Sequence, residues 1–242
     1  MSPGMPSRSD HNLPSVIITI DGPAGTGKST VAHQLAKRLG LEFLDTGAMY
    51  RAAALVALDA KIDPTDGLTL ASAVERIDMH FTWSADPPRL VLGDRDVSQR
   101  IRDLDVSEVV SFVAGQGELR RALVARQRRI AEAHRRLVSE GRDQGSVVFP
   151  EADLRFYLDA DIAIRAQRRA RQLVDAGLQV SRDRIERDIL KRDRMDESRA
   201  DGPLVRPQGA IVVDTGHRNV DQVVTELATI AHRQLPDFGL DP

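Results

Sequence analysis

Four residues in the stretch "ITIDGPAGTGKST" have the types and spacing of phosphate chemistry. Gly22, Gly27, Lys28 and Ser29 satisfy G-x-x-x-x-G-K-[ST]. A loop of this kind wraps phosphates in main-chain N–H groups, here those of Gly25 to Lys28, and the helix that follows adds its positive dipole end. Lys28 is placed to bridge the β and γ phosphates, and the Ser29 hydroxyl to sit on Mg²⁺. Gly22, Pro23, Ala24, Gly25, Thr26, Gly27, Lys28, Ser29 and Thr30 together are read as an ATP-binding loop. This chemistry binds a nucleoside triphosphate and leaves the phosphoryl acceptor open.

Three further segments carry anion-binding residue types. In "LDTGAMYRA", Asp45, Thr46 and Gly47 are expected at a strand end, with Tyr50 and Arg51 on the first turn of the next helix, where open parallel sheets bind ligands. In "EGRDQGSVVFP", Arg142 and Asp143 follow another strand, with Gly141 and Gly145 letting the backbone come close to a ligand. In "KRDRMDESR", Arg192, Asp196 and Arg199 are spaced to share one helical face. Taken singly, these read better as a capped helix with an exposed Arg, a polar turn and a solvated ion-pair stripe. The chain has no N-K-x-D string for reading guanine. The run "AIVVDTG" ends in Asp214, too late in the chain and without the Glu that a motor ATPase wants. A small-molecule kinase fits better, because it needs a second anionic pocket and mobile arginines.

The elements that position these residues alternate. "VIITI" (Val16 to Ile20) reads as a strand buried on both faces, followed by a helix from Gly27 to Leu39 that ends at Gly40. "LEFL", "RLVSEG", "DLRFYLDA" and "AIVVDT" are further strands. Helices are expected over "GAMYRAAALVALDA", Val106 to Arg136, Ile162 to Ala176, Ser181 to Met195 and Val220 to Gln234. This order implies an α/β fold with a parallel sheet and crossovers. From Lys61 to Asp105 short strand candidates break the alternation, as a small antiparallel insert would. Hydrophobic residues make up 41% of the 242, enough for a packed core. No apolar run is long enough to span a membrane, and "MSPGMPSRSDHNLPS" lacks the apolar core of a signal peptide, so residues 1–15 read as a disordered leader. With no cysteine and a net charge of −2, a disulfide framework and a general pull toward nucleic acid are both excluded, and the cytoplasm is the expected location.

Taken in order, "IDGPAGTGKST", "FLDTGAMYRA", "VSQRIR", "GELRRALVARQR", "EGRDQGSVVFP" and "RDRMDESRADGPL" resemble the bacterial cytidylate kinase family over nearly the whole chain. The resemblance implies a nucleoside monophosphate kinase fold: a five-stranded parallel sheet flanked by helices over 16–235, an acceptor-binding insert near 61–105, a lid near 180–203 and a tail from 236. It implies transfer of the ATP γ-phosphate to CMP or dCMP with Mg²⁺, in pyrimidine nucleotide metabolism; a monomer is expected. It places Arg51 and Arg142 on the CMP phosphate beside Tyr50. Thr46, Arg120, Asp143 and Arg199 fall around cytosine, and Ser111, Arg192 and Asp196 on the pentose. Arg168, with Arg169, is an ATP-side contact. Lys28, Arg142 and Arg192 are the expected catalytic charges. Gln144 and Ser146 depart from the family's usual residues, which bears on fine specificity.

Overall fold

The computed structural model describes residues 13–241 apart from Ala176 and Gln179, so most of the expected leader lies outside the described residues. The strands β1 (Val16–Asp21), β2 (Glu42–Asp45), β6 (Arg136–Glu140), β7 (Leu154–Asp159) and β8 (Ile211–Asp214) form one sheet in the order β2-β6-β1-β7-β8. All its neighbours run parallel, with Ile18 opposite both Val138 and Leu154. The β-branched run of β1 has its reason here: it is the central strand, and Ile18, Thr19 and Ile20 are fully buried.

Helices cover both faces. On one side α1 (Lys28–Arg38) and α8 (Val220–Gln234) pack Val31, Leu35, Val223 and Leu227 against the sheet. On the other, α2 (Thr46–Ala60), α4 (Leu104–Val113) and α5 (Gly117–Ala133) contribute Leu55, Val106, Leu119 and Leu123. The pair α6 (Ile162–Asp175) and α7 (Arg182–Glu197) forms a small separate cluster around Ala24, Ala166, Ile185 and Ile189. The order of strands at β1 puts the ends of β1, β2 and β6 side by side, and the loop after β1 opens over them.

Four details differ from the sequence expectations. The single helix expected over Val106 to Arg136 is two, because Gly115-Gln116-Gly117 interrupts a periodicity that otherwise continues. Gln116 is extended there, and Arg136 already belongs to β6. The region after Lys61 contains a helix, α3 (Gly67–Arg76), which Asp66 caps by accepting from the Thr69 N–H and which buries Leu70 and Val74. Its polar face hid it. Helix α2 starts at Thr46, so Tyr50 and Arg51 lie on its second turn rather than its first. Helix α7 ends at Glu197, leaving Arg199 beyond it.

The strands β3 (Met79–Thr82), β4 (Arg89–Leu92) and β5 (Arg95–Asp96) make the antiparallel sheet. Met79 pairs with Leu92 and Phe81 with Leu90, so the apolar alternation faces one side. Its β3–β4 turn is tied to α1: Asp86 accepts from Lys37 at 2.7 Å and pairs with His33.

Candidate active site

The phosphate loop runs from the end of β1 into α1. Gly27 occupies the cap position of α1 at φ 88°, no side chain caps the helix, and its first turn carries no acid. The first N–H groups of the helix are therefore left without side-chain acceptors, as an anion site requires. Gly22 adopts φ 145°, and a Cβ there would meet the carbonyl oxygen of Leu158 on β7. Lys28 is buried, and its Nζ donates to the Pro23 carbonyl at 2.7 Å. Burial, and after it the charge of Arg142, pull the Lys28 ammonium down to about 7.

Beside the loop stand two carboxylates. Ser29 Oγ donates to Glu140 Oε1 at 2.6 Å, at the end of β6. Asp45, at the end of β2 next to β6, is pushed up to about 7, first by burial and then by Glu140. A serine hydroxyl with two crowded carboxylates is a hard-oxygen set that fits Mg²⁺, since a divalent ion would relieve their repulsion. The sequence reading gave Ser29 this role and missed Glu140 and Asp45. The available signal was an acid closing the strand "RLVSE", the position sought instead at Asp214; β8, which carries Asp214, is an edge strand.

The other side of the site is built from side chains of distant segments. Arg142 Nε donates to Asp196 Oδ2 at 2.9 Å, and Arg199 pairs with Asp196 Oδ1. Asp196 is buried; burial opposes its charge, but Arg142, Arg199 and Arg192 outweigh that and hold its carboxyl below the usual range. Arg192 is relieved only in part by Asp196. Burial first, and Arg142 next, draw it down to about 9, and its Nε has no partner among the described residues. A half-buried guanidinium with a buried, unpartnered Nε and like charge around it favours entry of an anion.

Next to this cluster Arg120 pairs with Asp143, both almost fully buried, and the Arg120 guanidinium lies 5.2 Å from the Tyr50 ring centroid. Gly202, at φ 62°, places its backbone directly against the pair, so that a Cβ would collide with Arg120 Nη2 and Asp143 Oδ2. The Tyr50 hydroxyl is buried without a partner among the described residues. The turn carrying Arg142 and Asp143 is fixed from below by Asp21, whose two oxygens accept the N–H groups of Gln144 and Gly145 at 2.8 Å each. Gln144 itself is buried, accepts from Ser139 Oγ at 2.8 Å and donates to Gln127 at 3.3 Å.

The sequence-expected residues fall as follows. Tyr50, Arg120, Asp143, Arg142, Arg192, Asp196 and Arg199 converge. Thr46 lies below them and donates to the Glu140 carbonyl at 2.7 Å. Arg51 reaches Ser107 Oγ at 2.9 Å rather than the Arg142 cluster. Ser111, half-buried on α4, hydrogen-bonds to none of them among the described residues. Arg168 donates to Thr215 Oγ1 at 3.0 Å and to the Thr26 carbonyl at 3.4 Å, bracing the loop against the end of β8.

A glycine-rich phosphate loop between β1 and α1, opposed by an arginine-rich anion pocket on a doubly covered parallel sheet, defines a P-loop kinase. A solved structure of an uncharacterized protein from Eubacterium ventriosum shares the fold, with a TM-score of 0.52 at 12% identity over 90% of this chain and 99% of that one. The chain belongs to the cytidylate kinase family: the model of that family matches residues 18–233. It is 41% identical to the cytidylate kinase of Exiguobacterium sibiricum over 92% of this chain and 100% of that protein. It is 42% identical to that of Nocardia farcinica over 91% and 95%.

Proposed function

We propose that this kinase transfers the γ-phosphoryl group of ATP to CMP or dCMP, giving ADP and CDP or dCDP. The observation that carries the reading is the placement of the Arg120–Asp143 pair beside the Arg142–Asp196–Arg199 cluster, which sets a polar base reader next to an anion seat. A carboxylate accepts from the 4-amino group of cytosine and repels the 4-oxo group of uracil. Arg120 and Arg199 donate to the ring nitrogen and 2-oxo group. Arg142 holds the acceptor phosphate, and Arg51 swings to it from Ser107. Asp196 and Arg192 address the pentose.

In the reaction an acceptor phosphate oxygen attacks the γ-phosphorus in line and the bond to ADP breaks, so alignment and charge neutralisation matter more than proton removal. Lys28 and the loop N–H groups hold the β and γ phosphates. Arg142 and Arg192 neutralise charge on the transferring group. Mg²⁺, held through Ser29 with Glu140 and Asp45 behind it, would supply further electrostatic stabilisation of the phosphates. Residues 180–203 act as a lid whose closure excludes water, so the phosphoryl group reaches CMP and is not hydrolysed. The segment near 61–105 is the acceptor-side insert. The enzyme works as a monomer in the cytoplasm; among the described residues no helix is long and apolar enough to cross a membrane.

The test is a panel of acceptors in a coupled ADP-release assay. CMP and dCMP are expected to turn over far better than UMP, AMP, GMP or shikimate. Preference for any other acceptor would overturn the reading.

A further inference from the structure

Helix α7 buries Ile185, Ile189, Asp193 and Asp196, which lie on one stripe. The first two pack with Ala24 and Ala166, and Asp196 enters the acceptor cluster. Asp193, between them, has no role in the chemistry described above. Its Oδ1 accepts the Ala24 N–H of the phosphate loop at 3.0 Å, and its Oδ2 pairs with Arg165 of α6. Arg165 in turn donates to the Ala24 carbonyl at 3.0 Å and to the Ala160 carbonyl at 3.0 Å. Both main-chain polar groups of one loop residue are thus held by side chains from the two helices that carry the lid.

The position of Ala24 gives the contact a consequence. Pro23, before it, accepts the Lys28 ammonium. Gly25, after it, lies close enough to Arg165 that an added Cβ would stand 3.1 Å from the Arg165 Cβ. On the other side, Asp193 adjoins Arg192 in the chain and precedes Asp196 by about 4.5 Å of helix axis. Lifting α7 from the loop would leave the Ala24 N–H unsatisfied and the Arg165 guanidinium without its counter-charge in a buried place, which is costly.

We propose that Asp193 and Arg165 are positioning residues that seat the lid helix on the phosphate loop. Occupancy of the loop by a triphosphate and alignment of Arg192 and Asp196 over the acceptor are then one linked equilibrium. This rests on the kinase reading above. An ion pair that merely glued α6 to α7 would need no bond to Ala24.

The test uses the full chain and the double variant Asp193→Leu with Arg165→Met. Met is close to Arg165 in size, Leu is larger than Asp193, and no lone buried charge is left, so the fold is expected to survive, as a melting curve near the parent's checks before exchange is read. Hydrogen exchange over residues 182–199 is followed with a non-hydrolysable ATP analogue alone. In the parent protein the analogue is expected to slow exchange by ~10-fold or more. In the double variant it is expected to bind and leave exchange unchanged. Turnover is expected to fall by ~10²-fold, as for a small misplacement of reacting groups, with KM for ATP within ~3-fold of the parent. Equal slowing of exchange in both proteins, or full turnover in a folded variant, would overturn the proposal. No acceptor is present in the exchange experiment, so a wrong assignment of CMP would leave its result standing.

Discussion

From Gly22 to Ser29 the groups that face phosphate are main-chain donors and one lysine, contiguous in sequence and set by a single loop and helix end. Across the cleft, Arg51, Arg142, Arg192 and Arg199 come from α2, the turn after β6, α7 and the segment beyond it, and most are held by carboxylates or hydroxyls of other segments. The first half has few side-chain contacts to release: Lys28 on the Pro23 carbonyl, Ser29 on Glu140 and the Ala24 N–H on Asp193. The second must exchange ion pairs for ligand contacts. The contrast teaches where selectivity resides: backbone donors fit any triphosphate, while side-chain pairs assembled from afar distinguish one acceptor from another.

The comparison breaks most sharply at Lys28. Lys28→Ala is expected to lower kcat by ~10²–10³, the effect of losing a preorganised charge at the developing negative charge, while the melting curve stays near that of the parent. Near-parental turnover in the folded variant would remove the loop from the reaction. On the acceptor side, Asp143→Asn is expected to lower kcat/KM for CMP and narrow its advantage over UMP by ~10–100-fold, since an amide can donate to the 4-oxygen. A loss of both activities with the ratio unchanged would reduce Asp143 to a brace of its turn.

A smaller effect is expected at Asp196. Asp196→Ala is expected to hurt CMP and dCMP unequally, by a factor of ~5, the scale of one hydrogen bond. Equal loss on both sugars would assign Asp196 to the arginines alone. The smallest effect concerns protons. With Lys28 drawn down to about 7, the empty protein carries it mostly neutral at pH 8 and mostly charged at pH 6. Phosphate charge favours the ammonium, so ATP binding is expected to take up a proton at pH 8 and almost none at pH 6. Calorimetry in buffers of different ionisation enthalpy reads this, and Lys28→Met is expected to abolish it. Uptake that persists in Lys28→Met would assign the proton to another group.

The same contrast explains what was legible in the sequence. The loop was readable because its chemistry is contiguous, and β1 because a strand buried on both faces reads as a short β-branched run. The convergence of Tyr50, Arg120, Asp143 and Arg199 was reached only through resemblance, since no spacing rule links α2, α5, the turn after β6 and the chain past α7. Glu140 escaped because its carboxylate matters through Asp45 on the next strand, a neighbour set by sheet order. Asp193 escaped because its partners, Ala24 and Arg165, lie far from it in the chain. The break between α4 and α5 was hidden by side chains that keep helical spacing across Gly115-Gln116-Gly117.

If the Arg120–Asp143 pair reads the base as proposed, the backbone of Gly202 lying on it gives that pocket a ceiling of main chain. A ceiling of that kind measures thickness and breadth and is indifferent to donors and acceptors. On the proposed cytosine reading, a purine seated against the same pair would bring a second ring toward the Gly202 backbone, so AMP and GMP are expected to fit poorly. Rejection of purines is therefore expected to survive Asp143→Asn, the change that softens the choice between the two pyrimidines. On that reading one pocket holds two sieves, one of shape and one of polarity, and they are expected to be disabled separately.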